Sequence, residues 1–256
     1  MIFFFIIIFP FLIPLVYLIN LRLLFTFPDN WYWLLAILLA INLVYFILLW
    51  LKNKTKAKIL ISLYLYSVLF ISAGMSLMIV MTNYLMINIF WILWPFLLLV
   101  LLYAILHFVY ETLKTFFIDI KSIIAYVNIA VIFIVSAVLL NLNIFIAFPA
   151  WAAVLIFILV SLILNFPMLM LHESSLRKNL LYIVAITLIM AEIFIVMFYM
   201  PTGFYALGAF MAILYYLLLT FFLRALSGNL VRKDIIKHVS FASVLLIIIL
   251  ATSQWI

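Results

Sequence analysis

Nine runs of apolar residues follow one another along the chain, each closed by charged or turn-forming residues, with almost nothing between them. They are Ile2–Ile19, Trp31–Leu51, Ile59–Met81, Ile89–Tyr110, Ser122–Leu140, Ala150–Leu171, Leu180–Met200, Phe204–Leu223 and Val239–Trp255. At about 17 to 23 residues each, they match a hydrocarbon core of about 30 Å crossed at 1.5 Å per residue. The runs are continuously apolar and lack the alternation of a barrel strand, so helices are expected. The rest of the composition agrees. The chain is 73% hydrophobic and 7% charged, with a mean hydropathy of +1.56, whereas a soluble domain is roughly 45–50% apolar and about 25% charged. The reading is an all-α, polytopic transmembrane helical bundle of nine spans, forming a single transmembrane domain over residues 1–256.

Orientation follows from the basic residues. Alternate loops carry Lys52, Lys54, Lys56 and Lys58, then Lys114 and Lys121, then Arg177 and Lys178, then Arg224, Arg232, Lys233 and Lys237; the intervening loops carry only Arg22. Excess Lys and Arg marks cytoplasmic loops, which predicts a cytoplasmic N-terminus and an external C-terminus. The net charge of +7 is therefore read as sidedness, and no nucleic-acid partner is expected. The first span is the least regular. It holds Pro10 and Pro14, and Arg22 lies on its predicted outer side. An eight-span version with a re-entrant or interfacial first segment stays open. No basic n-region precedes the first run and no small-x-small site follows it, so it reads as a retained span rather than a signal peptide. Trp31, Tyr32, Trp33, Trp50, Trp91, Trp94, Trp151 and Trp255 read as anchors at the headgroup level. Glu111–Lys121 reads as a short interfacial helix or an extension of the fourth span.

Polar residues within the spans are the candidates for function, because an ionisable group in hydrocarbon costs several kcal/mol. Glu192 lies near the middle of span seven, in ITLIMAEIFIVMFYMP. It reads either as a proton-coupling or substrate-binding carboxylate, or as a structural acid bonded to a neighbouring helix. Asn42 in span two, Asn128 and Ser136 in span five, and Tyr215 and Tyr216 in span eight are the neutral groups that could meet it. Membrane asparagines more often join helices than bind ligands. The candidate intramembrane site is thus Glu192, Asn42, Asn128 and Tyr215. His107 with Tyr110 and Glu111, His172 with Glu173, and His238 beside Lys237 read as rim residues, since a metal site needs converging ligands. No catalytic, metal or cofactor-binding residue is assigned, and no cofactor is expected. There is no cysteine, which excludes disulfides, iron–sulfur clusters and thiolate zinc sites. No P-loop, dinucleotide fingerprint or nucleophile elbow occurs.

Small residues predict close helix packing at Ser72, Gly74 and Ser76, at Gly208 with Ala212, and at Ala36 with Ala40. Pro201 and Gly203 suit a tight turn. Spans seven and eight are expected to form an antiparallel hairpin, with Glu192 facing Gly208 or Met211. Pro95 and Pro167 are expected to kink spans four and six.

The last three spans carry Leu180–Tyr182 (LLY), Ala191–Glu192, a proline closing span seven, a glycine followed by LYYLLL, and a basic loop before the final span. In this C-terminal third the chain resembles a family of uncharacterised multi-pass membrane proteins from candidate-phyla (Patescibacteria-like) bacteria. The resemblance implies a bacterial inner membrane and no mechanism. Three function classes fit. The first is a structural or assembly-type membrane protein whose partners are the lipid bilayer and other membrane proteins. The second is a small transporter or permease using Glu192 and Asn42 in a mid-membrane cavity. The third is a lipid-linked-sugar transferase with Asp29 as its acid. An enzyme is the least favoured of these.

Overall fold

A computed structural model describes residues 2–110, 120–171, 176–226 and 231–253, without the side chains of residues 2–5, 169, 176–178 and 226. Backbone crossing hydrocarbon must satisfy its hydrogen bonds within the segment, and helices do so. Among the described residues the helices are α1 (Ile2–Thr26), α2 (Trp31–Lys52), α3 (Ala57–Val80), α4 (Tyr84–Tyr110), α5 (Ile120–Ile146), α6 (Ala150–Met170), α7 (Leu176–Met197), α8 (Phe204–Leu226) and α9 (Arg232–Thr252). All nine are long and apolar enough to cross a membrane. Several run past the apolar stretches that announce them. α4 begins at Tyr84 rather than Ile89, α5 continues to Ile146, and α9 begins at Arg232. Polar residues at membrane boundaries remain good helix formers, so hydropathy marks the buried length rather than the helix ends. Residues Glu111–Asp119, His172, Glu173 and Trp255 lie outside the described residues.

The helices group into two compact units, Met1–Val127 and Asn128–Ile256. In the first, α1 is one continuous helix through Pro10 and Pro14 and packs on α2, α3 and α4. Ile6, Ile13, Tyr17 and Leu21 are fully buried. α1 is therefore a full-length member of its unit, not a short segment at the edge. The Tyr17 hydroxyl donates to the Ile71 carbonyl at 2.8 Å. Trp91 Nε1 donates to the Leu18 carbonyl at 2.7 Å, and the Arg22 guanidinium lies 5.4 Å from the centre of the Trp91 ring. Trp94 departs from the anchor reading: it is only 2% exposed, stacked on Phe70 at 4.1 Å, and donates to the Phe70 carbonyl at 3.2 Å. A buried indole needs an acceptor, and this carbonyl supplies it. Trp31, Trp33, Trp50 and Trp151 are exposed, as anchors should be.

Lys56 reaches across to α4. Its Nζ donates to the carbonyls of Phe108 at 3.2 Å and Val109 at 3.3 Å and lies 5.1 Å from the Phe108 ring centre. Hydrogen bonds from a charged donor are stronger than neutral ones, so this contact ties the segment before α3 to α4. Lys56→Met is expected to cost about 1–2 kcal/mol, read as a lower unfolding midpoint by circular dichroism in detergent. Lys54→Met, on an exposed neighbour, should change little.

In the second unit α6 packs on α7, α7 on α8, and α8 on α9. A Cβ built on Gly208 would stand 2.9 Å from the Phe133 carbonyl oxygen and 3.0 Å from Ala137 Cβ. Gly208 thus lets α8 approach α5 closely. Ala36 and Ala40 are exposed on α2, so their spacing serves no close packing among the described residues. The link from α7 to α8 is the expected short turn, with Thr202 N donating to the Met200 carbonyl at 2.9 Å. Only Ala242 of α9 is buried.

Candidate functional site

Apolar helices in lipid gain little by burying more apolar surface, so buried polar groups decide much of how they pair. In the second unit those groups form a chain across four helices. Asn128 Nδ2 on α5 donates to the Leu164 carbonyl at 3.2 Å and to the Tyr215 hydroxyl at 3.1 Å. The Tyr215 hydroxyl on α8 donates to Asn165 Oδ1 on α6 at 2.6 Å. Asn165 Nδ2 donates to the Ser161 carbonyl at 2.9 Å and reaches Ser161 Oγ at 3.4 Å. Ser161 Oγ lies 3.5 Å from Thr187 Oγ1 on α7, at the limit of a hydrogen bond. All five residues are buried, Asn128, Ser161 and Tyr215 completely. Asn128 Oδ1 and Ser136 Oγ are buried without a protein partner.

Two of the four sequence candidates, Asn128 and Tyr215, therefore meet. Asn42 belongs to the other unit, where its Nδ2 donates to Ser67 Oγ at 2.8 Å and Ser67 passes a hydrogen bond to the Tyr64 carbonyl at 2.8 Å. Asn42 Oδ1 has no protein partner. Glu192 differs from expectation. It is exposed on α7, while Met190, Ala191 and Phe194 turn inward. It does not face Gly208, whose crowding comes from α5. It has no hydrogen bond or ion pair among the described residues.

Ser161, Asn165 and Thr187 were not among the sequence candidates. The Ser161–Asn165 pair, one turn apart in an otherwise apolar helix, is the signal that would have found them. Asn165 also borders a narrow cleft with Met168, Tyr182, Ile183, Ile186 and Leu219, whose exposed lining is apolar. Such a cleft has room for a water-sized occupant and offers few groups to orient a solute.

At one end of α8 and α9, Arg224 pairs with Asp234 and its Nη2 lies 3.1 Å from His238 Nε2. Tyr216 Oη lies 2.6 Å from His238 Nδ1. A guanidinium only donates, so Nε2 accepts and the ring proton sits on Nδ1, directed to the Tyr216 oxygen. Tyr216 is thus engaged with α9. Asp29 is exposed in a single 3-10 turn, Pro28–Asn30, with no second acid beside it. No protein-family model, curated protein or solved structure matches the chain.

Proposed function

We propose that this chain is an assembly-type membrane protein of a bacterial inner membrane, whose work is to pack against other membrane-embedded chains through the outer face of α7. The observation that carries the reading is Glu192: a carboxyl within an apolar span, exposed and without a partner among the described residues. Around it on the same side stand Leu188, Ile189, Ile195 and Val196, all exposed and apolar. A carboxyl facing hydrocarbon costs several kcal/mol, and no described residue of its own unit compensates it. A helix from another chain would remove that cost. α9 buries only Ala242 and exposes Ile236, Val239, Phe241, Val244, Ile247 and Ile248, so more than one helix is open to neighbours.

Transport through Glu192 is less well supported, because a coupling carboxylate belongs in a polar cavity and this one stands on an apolar outer face. The transferase reading has a single exposed acid, Asp29, and no companion.

Glu192→Leu tests the proposal. The variant should fold as well as wild type, with an unfolding free energy within about 0.5 kcal/mol, as for surface substitutions away from special features. In lipid nanodiscs, native mass spectrometry should find wild type in assemblies larger than one chain of 29.9 kDa, and Glu192→Leu mainly as single chains. Wild type found only as single chains would refute the reading.

A further inference from the structure

The inward side of α7 is fully used. Ile183, Ile186, Thr187, Met190, Phe194 and Met197 are buried at the spacing of one helix face. The outward side carries a second regular row: Leu181, Ala185, Leu188, Glu192 and Ile195, at steps of four, three, four and three residues. Leu181, Leu188 and Ile195 are 67%, 54% and 43% exposed. Alternating steps of three and four make the 3.5-residue repeat of a helix that wraps around a like helix, side chains fitting between side chains. A single polar residue in such a seam fixes register and partner number at some cost in stability.

We infer that the occupant of this face is a second copy of the same chain, with two α7 helices parallel and Glu192 opposite Glu192. This inference rests on the assembly reading and names its partner. Three observations favour a copy over an unrelated helix. Two copies inserted in the same sense have their α7 helices parallel, and a two-fold axis along the membrane normal brings Glu192 to the same depth in both, with no coincidence required. A neutral carboxyl has one donor and one acceptor, so two of them satisfy each other as a reciprocal pair. The rest of the seam is Leu, Ala and Ile, which pack against themselves, and Ala185 leaves room for close approach one turn before Leu188. The contact is isologous and closes at two chains.

The natural chain has no cysteine, so single cysteines report contacts directly. Leu188→Cys and Ile195→Cys, in the full chain in native membranes and oxidised with copper–phenanthroline, should give a product of twice the chain mass. Leu159→Cys, 59% exposed on α6, should not. In the Leu188→Cys background, Glu192→Gln should retain the product, since an amide also donates and accepts. Glu192→Leu should reduce it roughly five- to thirty-fold, the range expected for interhelical polar contacts in lipid. Seam cysteines that cross-link no more than Leu159→Cys, or a Glu192→Leu product equal to wild type, would overturn the pairing. Native assemblies whose mass is not a multiple of 29.9 kDa would overturn the self-pairing and leave the assembly reading standing. A chain that is single in every condition overturns both.

Discussion

Gly74→Ala is expected to destabilise the protein by about 3 kcal/mol, although the same change in an ordinary helix interior stabilises by about 0.5–1 kcal/mol. The reversal comes from what surrounds the missing side chain. A Cβ on Gly74 would collide with the Trp94 indole and with the Tyr17 hydroxyl. Neither neighbour can give way cheaply. Trp94 is held between Phe70 at 4.1 Å and Phe90 at 5.2 Å and donates to the Phe70 carbonyl. Tyr17 is fully buried and bonded to the Ile71 carbonyl. One methyl group therefore pushes on α1 and α4 together, where interiors are packed too densely to absorb it. Thermal unfolding in detergent, followed by circular dichroism, would show the loss. Gly203→Ala is the control, because a Cβ there meets nothing within 4 Å; it should leave the midpoint unchanged. Trp94→Phe in the Gly74→Ala background should recover part of the loss, since the smaller ring lacks the Nε1 edge nearest the new methyl. A Gly74→Ala midpoint at or above wild type would show that α3 is not tightly enclosed.

What the sequence makes legible here is depth, not direction. The nine apolar runs locate nine helices because the length of hydrocarbon to be crossed is fixed. Which side of each helix faces inward is another matter. In water an amphipathic stripe points to the core, but lipid is as apolar as the interior, so the helices are apolar all round and the stripe vanishes. Trp94 and Glu192 fell on the wrong side of expectation for that reason. Their depth gave an interfacial anchor and an inward acid, while their rotation about the helix axis makes a buried indole and an outward carboxyl. Asn128 and Tyr215 were identifiable as polar groups at compatible depth, and they do meet. Asn165, on the far side of Tyr215 from Asn128, gives no comparable signal, because one amide in a long apolar run does not show which way it points. The end of α5 was also invisible. Ala147 takes a positive φ of 52°, a position where glycine is usual, and Asn143 Nδ2 ties the following loop through the Phe148 carbonyl at 2.7 Å. Neither residue stands where a terminator is usually read, and the conventional stop signal, Pro149, lies three residues past Ile146.

Tyr215 carries the second large effect. Tyr215→Ala should cost about 3–5 kcal/mol, the range for emptying a buried aromatic site, because the side chain is fully buried and joins α5 to α6 through one hydroxyl. Tyr215→Phe separates shape from bonding. It keeps the ring and leaves Asn165 Oδ1 and one Asn128 N–H without the hydroxyl that pairs them. An unsatisfied buried group costs about 1–3 kcal/mol, whereas interhelical polar couplings in membranes average about 0.6 kcal/mol, because the separated helices find other partners. The expected loss is therefore about 1–2 kcal/mol, well short of that for alanine. A double-mutant cycle of Tyr215→Phe with Asn165→Ala, read from unfolding in mixed micelles, isolates the Tyr215–Asn165 bond. If the bond at 2.6 Å is worth what its geometry implies, the two losses should fall short of additivity by about 0.5–1.5 kcal/mol. Strict additivity would mean that Tyr215 acts by its volume alone, and that the polar chain through α5, α6 and α8 sets which helices pair without adding to how tightly they hold.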